Sequence, residues 1–240
     1  MYAFVCDKYK YIMYFTPKAA CSSIRRIFLD LYDINIHEWQ FLDYNLVKGK
    51  DYKDYLKFSV VRNPFSIITS AFNDRIVTGY FTGFITHDIK MLGTEITKHY
   101  KLKDVTQMTF KMMVDYLTSS PANKNKFLHL QHMVFQKPDK LDFICRVENL
   151  KEDLLKVYGI IFKDHPTMLG KVTKLINESP KVNVTRTKFS DKNYTNTPIS
   201  EMMKMAYLPT SSSYFTQELQ QKIYNFYKED FETFNYPNNL

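Results

Sequence analysis

The feature that most restricts the fold of this chain is a pattern that recurs along it. A short apolar run of strand length passes through a tight turn into a helix with one apolar face. The first copy is YIMYFTPKAACSSIRRIFLD at residues 11–30. Tyr11 to Phe15 reads as a strand, Thr16-Pro17 breaks it, and Ile24, Ile27, Phe28 and Leu31 recur at helical spacing. The second copy is LKFSVVRNPFSIITSAF at residues 56–72, with Phe65, Ile68 and Phe72 on one helical face. A third begins at Leu141 and runs through Cys145 into the helical pattern around Leu150 and Leu154. Buried strands that each lead into a helix predict an α/β fold with a central parallel sheet and helices on both faces, a three-layer, P-loop-like arrangement. Ligands in such folds bind at the carboxyl ends of the strands.

Both turns carry groups suited to anions. The first turn of a helix presents backbone N–H groups without partners and the positive end of the helix dipole, so a phosphate fits there. Ala19 and Ala20 are small enough for close backbone approach, Ser22 and Ser23 add hydroxyls, and Lys18 adds a compact positive charge. The loop holds no glycine and lacks the G-x-x-x-x-G-K-[ST] spacing of a Walker A loop. An ordinary strand-to-helix turn with a surface lysine has the same local pattern. In the second turn Arg62 ends the strand, and Ser70 follows about two helical turns later. An arginine fork and a hydroxyl so placed can converge on a second phosphate.

The two stretches together resemble the PAPS-dependent sulfotransferases, specifically the Golgi-type carbohydrate sulfotransferases and their bacterial and viral relatives. PAPS is 3′-phosphoadenosine 5′-phosphosulfate. The family's P-K-x-x-x-[ST]-[ST] loop matches Pro17, Lys18, Ala19, Ala20, Cys21, Ser22 and Ser23, which the resemblance assigns to the 5′-phosphosulfate. Its R-[DN]-P-x-x-x-x-x-S stretch matches Arg62-Asn63-Pro64 with Ser70, assigned to the 3′-phosphate. A family segment D-[FY]-[IV]-x-R-x-E-x-L-x-x-D is similar to residues 142–153, and the closing Y-x-x-x-L…Y-x-x-D-F pattern to residues 214–236. Two positions depart from the family: Ala20 stands where many relatives have glycine, and Ser66 where many have arginine.

The resemblance implies sulfuryl transfer from PAPS to an acceptor hydroxyl by in-line displacement, without a metal. The transfer needs a base for the hydroxyl proton, and histidine has the pKa for it at neutral pH. In the family the base falls between the two phosphate motifs, which here points to His37 and then Glu38. A histidine packed beside Trp39 is the alternative for His37, and His129 and His132 are runners-up as base or acceptor contacts. A late basic loop closes over the nucleotide in sulfotransferases, and Arg186 with Lys188 fits that role, as it fits an ordinary solvated loop.

Composition narrows the remaining choices. The net charge of +8 suits a polyanionic partner, be it PAPS with an acidic glycan, nucleic acid or an anionic membrane, and equally a lysine-rich solvated surface; charge alone does not choose, and with the resemblance it leans toward a glycan acceptor, with no nucleic acid expected. Cys6, Cys21 and Cys145 form neither a disulfide framework nor a C-x-x-C metal pair. Cys21 is not set up as a phosphatase nucleophile, since Ile27 occupies the position of the required arginine. His129 and His132 have no third ligand at metal spacing. Neither a leader pattern nor an apolar run of membrane-spanning length is present, so a soluble, cytoplasmic protein forming one domain over residues 1–240 is expected. Residues 79–105, with Gly79, Gly83 and Gly93, are expected to be irregular, as a lid or acceptor-binding insertion. Residues 106–118 and 214–236 are expected to be helices, the second capped by Thr216, and Arg146 and Glu148 are expected to share a strand face. The competing functions are a P-loop-type nucleotide kinase and a basic nucleic-acid- or glycan-binding protein with a degenerate nucleotide site.

Overall fold

In the computed structural model of the chain the described residues are 2–15, 18–33, 42–43, 52–119, 141–178, 187–188 and 190–240. The elements begin with β1 (Tyr2–Cys6), β2 (Tyr11–Phe15), α1 (Cys21–Tyr32), β3 (Leu42–Asp43) and β4 (Leu56–Val61). Next, α2 (Pro64–Ala71) passes through a π-helical turn (Phe72–Val77) into α3 (Thr78–Thr82), followed by α4 (His87–Tyr100) and α5 (Phe110–Ser119). Then come β5 (Phe143–Arg146), α6 (Leu150–Ile161), α7 (Pro166–Glu178), β6 (Thr187–Lys188), α8 (Ile199–Met202), β7 (Leu208–Pro209), α9 (Gln217–Phe226) and α10 (Lys228–Thr233). They fall into two compact units, Met1–Arg62 with Gln131–Val182, and Asn63–Leu130 with Asn183–Leu240.

The first unit carries the main sheet, in the order β3-β1-β2-β4-β5. β2, β4 and β5 are parallel, with Met13 beside Phe58 and Phe58 beside Phe143. β1 and β3 add an antiparallel side, so the sheet is mixed rather than wholly parallel. The cause is connection length: β1 reaches β2 through the turn at residues 7–10, which permits only a hairpin, whereas parallel neighbours need a crossover. On one face Tyr11, Met13, Phe58, Val60 and Cys145 pack with Ile24, Ile27, Phe28 and Leu31 of α1, and with residues of α6 and α7. The spacing 24, 27, 28, 31 places all four α1 side chains on the stripe that meets the sheet, each contributing roughly 1.5–3 kcal/mol by burial. The opposite face is buried too, since Ala3, Ile12, Ser59 and Val61 are fully shielded. The core is aromatic, and the Tyr11 and Tyr32 hydroxyls satisfy each other at 2.6 Å.

The second unit is mostly helical. Asn63 caps α2, its side chain accepting from the Phe65 N–H at 2.9 Å, and Pro64 occupies the first helical position, where a missing N–H is harmless. Phe65, Ile68 and Phe72 enter a core with Phe110, Met113, Leu117, Tyr214, Leu219 and Ile223. The π turn holds Asn73 inside that core. Its amide donates to the Pro209 carbonyl at 3.2 Å, and its oxygen accepts from the Tyr214 hydroxyl.

Three expectations change. Residues 79–105 are largely helical: Ile89, Leu92, Gly93 and Ile96 of α4 are buried at the spacing of an amphipathic helix, a period that the glycines mask in the sequence. The C-terminal helix begins at the Thr216 cap but divides at Tyr227, whose φ of −99° and ψ of 19° separate α9 from α10. β5 stops at Arg146, and Glu148 lies in a 3₁₀ turn (Val147–Asn149), so the two do not share a strand face. Among the described residues no helix is long and apolar enough to cross a membrane.

Candidate active site

The site is built where β2 and β4 end side by side. These strands are parallel neighbours, with Phe15 in register with Val60, so the chain segments leaving them emerge at the same edge. The loop after β2 has an unusual backbone. Lys18 lies at φ 65° and Ala20 at φ 57°, both in the left-handed region. Left-handed residues on either side of Ala19 are the kind of backbone turn from which anion-binding nests are built. Ala20 is also the N-cap of α1 and supplies no side-chain cap, and no acidic residue occupies the first turn. The helix therefore turns its positive end to the loop with no acidic side chain in its own first turn.

The Cys21 thiol reports the same environment. Burial raises its pKa, opposed by the backbone N–H groups of Ala19, Cys21 and Lys18 and by the Lys18 charge. Its raised pKa keeps it a thiol, in line with its reading as a small loop residue. Ser22 is exposed and Ser23 half-buried on the first turn of α1. Cys145, fully buried in β5, has its thiol pushed up to about 12 by burial and is chemically quiet.

Arg62 joins the second motif to the first. Its Nη1 donates to the Lys18 carbonyl at 3.1 Å, across 44 residues of sequence. The strand pairing that makes β4 the neighbour of β2 is what brings them together. This bond fixes the backbone at the left-handed Lys18 and sets a guanidinium beside the loop. Sequence reading gave Arg62 a phosphate role but missed this structural one. Neither motif carries a signal for it, because the contact depends on strand order. Asn63 is a further positioning residue, and its signal is readable: Asn-Pro before an apolar helical pattern marks a cap.

The remaining predicted residues are spread across the chain. Ser70 is half-buried near the end of α2, in the second unit. Lys188 is exposed on the two-residue strand β6 rather than in a loop, and its carbonyl accepts from the Thr210 N–H at 3.3 Å. Pro17, His37, Glu38, His129, His132 and Arg186 lie outside the described residues. Among the described residues no group of three or more His, Cys, Asp or Glu could hold a metal ion.

No curated protein and no solved structure matches this chain. A family model does, from residue 1 to residue 237, and it spans both units and both strand-to-helix turns. A nest-shaped loop at a helix N-terminus, tied to an arginine at the end of the adjacent parallel strand, is thus found in a chain that belongs to the sulfotransferase family.

Proposed function

We propose that this enzyme transfers a sulfuryl group from PAPS to a hydroxyl of a carbohydrate, and that residues 1–240 act as one catalytic domain. The observation that carries the reading is the Arg62–Lys18 bond, which couples the two phosphate motifs at one sheet edge. The donor set suits a nucleotide with two separated anionic ends. The loop N–H groups and Lys18 suit the 5′-phosphosulfate, with Ser22 and Ser23 orienting it. Arg62, with Ser70, suits the 3′-phosphate and gives preference over nucleotides lacking it. Arg186 and Lys188 would close over the nucleotide.

PAPS supplies the sulfuryl group, and the chain supplies positioning and charge. His37, or in its place Glu38, takes the proton of the acceptor hydroxyl. Lys18 and the N–H groups at the start of α1 stabilise the negative charge that grows on the leaving oxygen. The net charge of +8 favours an acidic acceptor.

Calorimetric titration with 3′,5′-ADP, ATP and 5′-AMP tests the nucleotide assignment. The expected result is micromolar binding of 3′,5′-ADP, much weaker binding of the other two, and a loss of at least about tenfold on Arg62→Ala, in line with removal of one charge-assisted bond. Equal affinity for all three nucleotides would overturn it. Labelled PAPS with a panel of oligosaccharides then tests the acceptor class, and His37→Ala tests the base.

A further inference from the structure

We propose that the cleft along α4 is a docking site for an acidic oligosaccharide, distinct from the nucleotide loop. The cleft has a volume of about 920 Å³ and lies within the second unit. Lys90, Thr94, Thr97, Lys98 and Lys101 all line it. Their positions i, i+4, i+7, i+8 and i+11 make one continuous stripe along the helix. The buried residues Ile89, Leu92 and Ile96 face the core instead. Lysines therefore stand at both ends of the stripe, about 16 Å apart along the axis, with hydroxyls between them.

Among the described residues no acidic side chain lines the cleft, and no ion pair uses Lys90, Lys98 or Lys101. Lys98 and Lys101 lie at the C-terminal end of α4, where the helix dipole favours cations. Lys90 lies near the N-terminal end, where the dipole opposes one, so helix stability does not account for it.

The second ingredient is aromatic. Gly83, at φ 74°, turns the chain at the end of α3. Phe84 follows it and is 88% exposed, between the lining residues Gly83 and Ile85. Tyr80 forms part of the wall. An exposed ring in the segment that forms the cleft wall, together with a stripe of cations, is the chemistry that holds a sugar chain bearing sulfates or carboxylates. The ring covers a sugar face, the Thr94 hydroxyl, which donates to the Lys90 carbonyl at 2.9 Å, accepts from a sugar hydroxyl, and the lysines answer the charges. The inference rests on the carbohydrate reading of the acceptor and adds where such a chain is held.

The test uses maltohexaose and its chemically sulfated form as probes of the intact chain. Calorimetry should show binding of the sulfated form only, weakening with added salt. Lys90→Ala/Lys98→Ala/Lys101→Ala should reduce its affinity at least about tenfold. Phe84→Ala should also reduce it, and both variants should bind 3′,5′-ADP as the parent does. Titration of the isotopically labelled parent should shift the amide resonances of Thr94 and Thr97. An undiminished affinity in the triple variant, shifts confined to other residues, or equal binding of a DNA oligonucleotide without dependence on Phe84 would overturn the proposal. Failure of the nucleotide reading registers separately, as absent 3′,5′-ADP binding by the parent.

Discussion

Substitution at Ala20 tests the anion-loop geometry most directly. Ala20 has φ 57° and ψ 23°, a conformation that brings a Cβ too close to the neighbouring carbonyl and costs an L-residue roughly 1–2 kcal/mol. Glycine removes that strain. Against it, glycine has more unfolded-state freedom, about 0.5–1 kcal/mol, and the half-buried methyl loses some contact with the core. The net expectation for Ala20→Gly is a gain of about 0.5 kcal/mol, a rise in Tm of about 1–2 °C for a chain of this size. Ala20→Val has the opposite sign, because a β-branched side chain tolerates the left-handed region worst, and a loss of at least about 1 kcal/mol is expected. Thermal unfolding of the three proteins should rank them Gly, Ala, Val. Because the curl of the loop depends on the same dihedral angles, Val should also weaken 3′,5′-ADP while Gly leaves it nearly unchanged. A valine variant as stable as the parent would refute the strained-nest argument.

Two further outcomes follow from the second unit. Asp115 accepts from Lys111 and from Lys222 at 2.7 Å; burial raises its pKa, but these bonds outweigh burial and hold the carboxyl below its usual range. A lowered folded-state pKa adds stability above the unfolded value, near 3.9, and this is lost as the pH falls through the folded value. Asp115→Asn should therefore be less stable than the parent by about 1–2 kcal/mol at pH 7, and denaturant unfolding should show the gap closing as the pH falls below the unfolded value. Gly93→Ala should destabilise by about 1–2 kcal/mol despite alanine's higher helix propensity. A Cβ there would meet the Tyr80 hydroxyl and lie 3.0 Å from Val105 Cγ2, so a melting temperature at or above that of the parent would refute the packing.

Much of this was legible residue by residue. The α1 face, the cap at Thr216, the burial of Cys145 and the parallel run of β2, β4 and β5 follow from local periodicity and short-range chemistry. Residues 79–105 were misread because three glycines are the stronger local signal. Gly93 is there because Tyr80 packs against α4, a requirement that lies outside the local window. The end of β5 before Glu148 was hidden for a similar reason. Alternation alone does not reveal that the chain tightens into a 3₁₀ turn, where the Arg146 N–H is taken by the Asp153 carboxylate at 2.8 Å.

The sequence by itself determined the α/β class, the two strand-to-helix turns and which cationic and hydroxyl residues stand in them, because each depends on neighbours a few positions apart. Tertiary structure decided what joins them. The hand of Lys18 and Ala20 is set by loop closure rather than by residue preference, since neither is glycine. The bond from Arg62 to Lys18 exists because strand order makes β2 and β4 neighbours. The lysine stripe of α4 becomes a cleft only when Tyr80, Leu102 and Val105 supply its walls. Contacts between residues far apart in the chain depend on which surfaces pack together, and local pattern does not encode that choice.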